Sequence, residues 1–498
     1  MVDMNPEEIF WSVNQDGKVS LNNYRFKRFL EMNNFFKNRP NPNSTFNIIK
    51  KNGIFLEIID EVEVKDFVLN HILKNRLSED VYNLMTGNIK FFKRDYLSMI
   101  DSKEIKVLKD TKDTAFLFYE NGVLEVTKDK SQLKNYSDFN LNIWENQVIK
   151  RKYIDSDHHH SEFRKFVWKI SGGFDLSDNP TIEDQAKYSD AVDRYNSFQS
   201  AIGYLIHSYK TSGNNKAIIL NDEMISDSPN GRSGKGVFWN SLKHMKKLQS
   251  IDGKQFKFGG DFPYQSVKTD CQILVFDDVK KNFQFENLFS VITEGIDITY
   301  KGKDTIKLPV EDSPKIIIST NYVLKGNGDS HDARKFELEL STFFNANNTP
   351  FEFFGHYLFT DWDELEWARF DCYMIECLKK YLNYGLVSYK AISLPLKKLE
   401  VELGKELFEF CMDIPKNEWL SGQEVYDKYK FTISKSFMAK SKKEVTQSIK
   451  KFCQFFGYEY EARTPGGLLK FMICQRSIPK NDNNDEVDIW DTKELQPR

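Results

Sequence analysis

The stretch KAIILNDEMISDSPNGRSGKGVFWNSLKHMKKL, residues 216–248, decides how the rest of the chain is read. KAIILND is a short β-branched apolar run that predicts a strand, and VFWNSLKHMKKL has helical spacing. Between them lies a loop rich in small residues. A strand, a loop and a helix in that order aim free backbone N–H groups and the positive end of a helix dipole at one point, which suits a polyphosphate. Asn230, Gly231, Arg232, Ser233, Gly234, Lys235 and Gly236 form the expected cradle, with Lys235 reaching the outer phosphates. The loop departs twice from the pattern G-x-x-x-x-G-K-[ST]: Pro229 stands at the first glycine and Gly236 at the hydroxyl position. A magnesium ion there lacks a side-chain ligand from the loop and must be met by water or by an acid elsewhere.

Three later stretches supply what such a loop needs. CQILVFDDVKK sets Asp277 and Asp278 at the end of the buried run Ile273 to Phe276. Paired carboxylates there suit one metal ligand and one group that orients or deprotonates water, and we assign Asp277 to the metal and Asp278 to the water. PKIIISTNY reads as a second buried strand ending in Thr320 and Asn321, whose amide can touch both the γ-phosphate and the attacking water. SHDARKFELEL places Arg334 just before an alternating strand, Phe336 to Leu340, in position to act on a neighbouring subunit's nucleotide.

In these four ordered elements the chain resembles superfamily 3 helicases of the AAA+ class, most closely the phage and mobile-element primase-helicases, over roughly residues 150–400. The resemblance implies an α/β P-loop ATPase core, ATP and Mg2+ as cofactors, a hexameric ring with ATP between subunits, and a hairpin projecting into a central channel. EGIDITYKGKDTIKLP, residues 294–309, supplies that hairpin: Ile296, Ile298 and Tyr300 alternate, the turn falls at Lys301, Gly302 and Lys303, and Ile306 and Leu308 return. Its basic tip, Lys301 and Lys303, suits a nucleic-acid backbone.

At 498 residues the chain is long enough for two to four domains, and 41 Phe exclude a disordered class. A net charge of −3 confines any nucleic-acid surface to a local patch. Six Cys without a C-x-x-C pair fit free thiols in a reducing compartment rather than a zinc site or disulfide framework. With no signal-like N-terminus and no membrane-length apolar run, we expect a soluble cytoplasmic protein with no membrane partner.

Residues 1–150 read as a mixed α/β accessory domain with hairpins at Asn52–Gly53 and Asn121–Gly122 and an amphipathic helix whose Phe67, Leu69, Ile72 and Leu73 face inward. Residues 151–213 read as a linker and helical collar. In the linker, YIDSDHHHSEF offers Asp155, Asp157 and three histidines as divalent-metal ligands, although a polar connection in which Asp or Ser caps the next helix is simpler. In the collar, Tyr195, Phe198, Ile202 and Leu205 face inward and His207 lies at the surface. The ATPase domain spans 214–400 with a helical extension in which Trp367, Phe370, Met374 and Leu378 share a face and Gly385 is the stop; SLPLKKL then reads as a linker. Residues 401–476 suggest a winged-helix-like module of three helices and a hairpin. From Ser421 to Arg476 it carries eleven Lys or Arg against five Asp or Glu, with Lys442, Lys443, Lys450 and Lys451 on the third helix and Arg463 by the wing. Phosphate contact and protein docking both suit it. The acidic tail, 477–498, has a disordered composition.

The expected function is an ATP-dependent DNA helicase that translocates as a ring on single-stranded DNA at a forked duplex, alongside replication proteins of a phage or mobile element. An ATP-switched origin-binding initiator or loader, and a AAA+ component of a defence system, are the alternatives.

Overall fold

The computed structural model describes residues 9–39, 46–223, 232–301, 305–324, 326, 328–391, 394–432 and 440–474. The first unit opens with a short hairpin, β1 (Trp11–Val13) and β2 (Val19–Leu21), followed by α1 (Asn23–Met32). Strands β3 (Phe35–Asn38), β4 (Asn47–Asn52) and β5 (Phe55–Ile59) form an antiparallel sheet that turns at Gly53, as the Asn-Gly signal predicts. Helix α2 (Glu61–Lys74) starts at a capping box between Asp60 and Glu63 and buries Val64, Val68 and Ile72. Leu73 is exposed, contrary to expectation: the buried stripe advances by four residues, and Leu73 lies a further 100° round the helix. Helices α3 (Glu79–Gly87) and α4 (Arg94–Leu97) complete an aromatic core around Phe26, Phe29 and Phe35.

Strands β6 (Thr114–Tyr119), β7 (Gly122–Thr127) and β8 (Ser131–Lys134) form an antiparallel sheet, and β9 (Ile143–Trp144) joins β5 in parallel. The β6–β7 residues Leu117, Tyr119, Leu124 and Val126 share a continuous apolar core with residues 163–378. Arg151, whose Nε lies 2.8 Å from Asp371 Oδ2, ties the following segment to the same core. The other face of β6–β7 carries Phe116, Phe118 and Val123, which pack with Ile143 and with Ile54 and Phe55 of the β4–β5 hairpin.

Helix α5 (Glu162–Ile170) and the 25-residue α6 (Ile182–Ile206) follow. Tyr195, Phe198, Ile202 and Leu205 face inward as expected, but His207 is buried, with Nε2 2.8 Å from the Thr111 carbonyl. A polar residue after a helix reads as surface until another segment covers it.

The central sheet has five strands: β10 (Ala217–Asp222), β11 (Leu248–Asp252), β12 (Ile273–Val279), β15 (Lys315–Thr320) and β16 (Lys335–Leu340), all parallel, in the order β11-β12-β15-β10-β16. Helices α7 (Lys235–Ser241) and α8 (Phe289–Thr293), the hairpin β13 (Gly295–Thr299) and β14 (Thr305–Pro309), and α9 (Asp329–Arg334) connect them. Because both faces are covered, the strands are nearly continuous in apolar residues; Ile218, Ile219, Leu220 and Ile273 to Phe276 are wholly buried. The connection after β10 runs to one edge of the sheet and β16 lies on the other side of β10, so the crevice at the carboxyl end of β10 is a switch point.

Helix α10 (Pro350–Phe354) precedes α11 (Glu364–Tyr384), which packs on α6 and α5; Phe370, Met374 and Leu378 are buried, Trp367 is half-buried, and Gly385 ends α11 at φ 68°. The expected linker SLPLKKL is instead largely helical, in α12 (Leu394–Leu403), because Pro395 falls in the first turn, where its missing N–H costs no hydrogen bond. Then come α13 (Lys405–Met412), β17 (Leu420–Ser421), α14 (Gly422–Thr432), α15 (Lys442–Phe456), β18 (Glu459–Arg463) and β19 (Lys470–Cys474), the strands paired β17-β19-β18. Leu399 and Leu403 of α12 enter this core, so it begins before residue 401. Among the described residues no helix is long and apolar enough to cross a membrane. The 477–498 tail lies outside the described residues.

Candidate functional site

Four elements meet at the switch point. Strand β10 ends in Asn221 and Asp222, α7 begins at Lys235, β12 ends beyond Asp277 and Asp278, and β15 delivers Ser319 and, one residue past its end, Asn321. Asn230 and Gly231 lie outside the described residues. Arg232 and Gly234 have φ 85° and 96°, the left-handed turns that bring the chain from loop to helix. At Gly234 a Cβ would stand 3.0 Å from Phe166 Cζ and 3.3 Å from Ile170 Cγ2, so conformation and close approach to α5 both require glycine. Gly236 faces open space.

Lys235 is the hub. Its Nζ is 2.5 Å from Asp222 Oδ2, 2.7 Å from Asn321 Oδ1 and 3.4 Å from Ser233 Oγ. The Lys235 and Asp222 side chains are only 12% and 15% exposed, and Asp222 Oδ1 is buried without a partner among the described residues. Asn321 relays onward, its Nδ2 donating to Asp278 Oδ1 at 3.3 Å.

A regular strand would send the neighbouring carboxylates of Asp277 and Asp278 to opposite faces of the sheet. A register shift between Phe276 and Val279, with Asp278 at φ 52°, breaks that alternation. Ser319 stitches the bulge: its hydroxyl donates to Asp277 Oδ1 at 2.5 Å and accepts from the Asp278 N–H at 2.8 Å. Asp278 Oδ2 also pairs with Lys254, from the turn after β11, and that contact raises the pKa of the lysine. Both carboxylates therefore lie at the mouth beside Lys235.

Asp222, Ser319 and Lys254 were missed by sequence reasoning. The first carried a signal, an acid at the end of the strand before the loop. The other two carried none, because each is defined by a partner distant in sequence. Lys397 was also missed: its Nζ donates to the Asp222 carbonyl at 2.6 Å, and burial lowers its pKa to about 8 against the opposing pull of Glu339 and Asp222.

Arg334 is not brought to this cluster. Its guanidinium donates to the Ser330 carbonyl at 3.0 Å and lies 4.7 Å from the Phe289 ring centre. Lys301 is exposed at the end of β13, while Lys303 lies outside the described residues. Tyr300, the one aromatic near the hairpin tip, is tied back by its hydroxyl to the Val267 carbonyl at 2.8 Å. Between the hairpin base and the segment after β11 opens a cleft of about 1530 Å³, lined in part by Lys254, Lys257, Lys280, Lys307, Phe256 and Phe258.

On α15, Lys443, Lys450 and Lys451 are exposed, away from buried Val445, Ile449 and Phe452, while Lys442 is half-buried beside that apolar stripe. Lys443 is exposed, Lys442 donates to Gln423 Oε1 at 2.8 Å, Lys450 lies 5.1 Å from the Tyr460 ring centre, and Lys451 pairs with Glu402. Arg463 stacks on Trp419 at 3.7 Å.

No family model and no curated protein matches the chain. Among solved structures, the apo C-terminal region of NrS-1 aligns over 73% of this chain and 96% of its own, at 12% identity and a TM-score of 0.32. A Drosophila ORC structure bound to DNA aligns over 62% and 96%, at 8% identity and a TM-score of 0.18.

The donor set at the mouth fits a magnesium–triphosphate group. Asp277 keeps one carboxylate oxygen beyond its bond to Ser319, hard oxygen ligands suit Mg2+, and a lysine and an amide stand ready for phosphate oxygens.

Proposed function

We propose that this chain is a P-loop ATPase of superfamily 3 type within the AAA+ class, which couples ATP hydrolysis to movement along single-stranded DNA. The observation that carries the reading is the Lys235–Asn321–Asp278 relay at the carboxyl end of a parallel sheet whose loop-bearing strand lies between β15 and β16. In this reading Lys235 exchanges Asp222 for the outer phosphates, and the backbone from Arg232 to Gly236 cradles them. Asp277 would hold Mg2+, which would supply charge neutralisation at the phosphates. Asp278 takes the proton of the attacking water, and the Asn321 amide orients that water against the terminal phosphate. Arg334, engaged with Ser330 and Phe289 among the described residues of its own chain, serves the site of a neighbour in a ring, which we take to be a hexamer.

Lys301 and Lys303 at the hairpin tip track the strand, and the winged-helix-like module grips backbone phosphates through Lys442, Lys443, Lys450 and Arg463. A second reading, an ATP-switched initiator or loader without processive unwinding, draws on Gly236, which offers no hydroxyl to the metal, and on the engagement of Asp278 by Lys254.

Steady-state ATPase of the wild type and Lys235→Ala, with and without single-stranded DNA and at several protein concentrations, tests the proposal. Turnover stimulated by DNA, cooperative in protein and absent from the variant supports the motor. Nucleotide binding without turnover under every condition favours the switch. Lys301→Ala/Lys303→Ala should abolish unwinding while sparing basal ATPase; loss of both together removes the tracking role.

A further inference from the structure

Outside the nucleotide site, one set of metal-ligating side chains converges. Asp157, His158 and His159 each offer a donor atom, and these atoms lie within 4.8 Å of one another. The residues sit on a 3₁₀ turn, His158–His160, entered through Asp157. The His158 and His159 rings are 4.2 Å apart at a 32° tilt, and His160 Nδ1 lies 2.7 Å from Asp157 Oδ2. In a 3₁₀ turn residues three apart eclipse one another, which sets His160 over Asp157 and offers a fourth donor.

The turn is held from both sides. The Ser156 N–H donates to Cys372 Sγ on α11 at 3.2 Å, Asp157 Oδ1 accepts from the His159 N–H at 2.9 Å, and Arg164 of α5 donates to the His159 carbonyl at 3.2 Å. The backbone that carries the donors is therefore fixed before any ion arrives, while the His159 and His160 side chains are exposed. Tetrahedral ligands of one ion at about 2.0–2.1 Å stand about 3.3 Å apart. Closing the set thus asks the donor atoms to approach one another by up to about 1.5 Å, within reach of side-chain rotation.

We propose that Asp157, His158 and His159, with His160 completing the set, bind a first-row divalent cation of the zinc class. Imidazole nitrogens with one carboxylate are the ligands such ions take, and are too nitrogen-rich for Mg2+ or Ca2+. The bound ion clasps the segment that leads from the β6–β8 sheet into α5, which lies against α11 through the Ser156–Cys372 contact. The site is independent of the nucleotide mouth.

The probes are Co2+ and Zn2+ alone, added to the full chain freed of metal by chelation. Uptake of one Co2+ per chain, with nitrogen/oxygen-type d–d absorption, no thiolate charge-transfer band and displacement by Zn2+, is expected, together with a rise in melting temperature on adding Zn2+. Asp157→Ala and His158→Ala/His159→Ala should each weaken binding by at least the roughly 10-fold that loss of a mere outer-shell partner costs. Melting of these variants in chelator, unchanged from the wild type, establishes that they are folded. Affinity that is the same in Asp157→Ala as in the wild type would mean that a run of histidines binds metal without the assembled site, and overturns the proposal. So does the absence of stoichiometric uptake by the wild type.

Discussion

Replacing Lys235 with alanine removes the proposed phosphate ligand, and it also strands Asp222. The two side chains are 12% and 15% exposed and 2.5 Å apart, and the second oxygen of Asp222 is already buried without a partner. Removing one member of a fully buried pair costs about 3–5 kcal/mol; the remaining exposure and the ability of Asp222 to draw in water reduce this to about 2–3 kcal/mol. That is about a 30- to 140-fold increase in local opening. Hydrogen exchange of the β10 and α7 amides, without nucleotide, reads it directly. Lys235→Ala should lose that protection, and Lys235→Ala/Asp222→Ala should recover all but about 1 kcal/mol, because the orphaned charge is gone. Nucleotide affinity should be lost in both. Unchanged protection in Lys235→Ala, or a double variant no better than the single, would refute the claim that this ion pair organises the mouth.

Arg334→Ala should leave nucleotide binding intact and lower turnover by about 10³-fold or more if it completes a neighbour's site; Arg334→Ala subunits mixed with Lys235→Ala subunits should then regain part of the activity. Gly236→Thr has open space for its side chain, and a restored hydroxyl should lower the magnesium concentration needed for half-maximal turnover; an unchanged requirement means that residue 236 does not face the metal. Burial pushes His207 and His244 down to about 4, below their unfolded value near 6.5. Both are neutral in the folded protein, so the stability they contribute is present above about pH 6.5 and is lost as pH falls toward 4, by up to about 3 kcal/mol for each. Urea denaturation of His207→Gln should show a weaker pH dependence than the wild type in that window; an identical slope would assign the loss to other groups.

How much of this was legible depended on whether the signal was local. Ile273 to Phe276, the Asn-Gly turns and the spacing of Phe198, Ile202 and Leu205 announce their own secondary structure, because each pattern is complete within a few residues. Lys235, Asp277, Asp278 and Asn321 follow from residue type at strand ends. The bulge that turns both carboxylates to one mouth is invisible in ILVFDDV, since it depends on the Ser319 hydroxyl arriving from the next strand. His207 was misplaced for the same reason: what buries it is the segment around Thr111, almost a hundred residues earlier. Pro395 misled in another way, because proline stops a helix it follows and starts one it begins.

Helix α12 has one practical consequence for anyone dissecting this protein. Its Lys397 holds the Asp222 carbonyl, Lys398 reaches Glu337 Oε2 of the central sheet at 2.5 Å, and Leu399 and Leu403 lie in the core of the C-terminal module. A fragment trimmed after α11 to isolate the sheet would take away the donor behind Asp222, and a fragment starting at α13 would lose Leu399 and Leu403 from its core. The ten residues from Leu394 to Leu403 are shared masonry, a party wall between two rooms, and a cut on either side of it damages both.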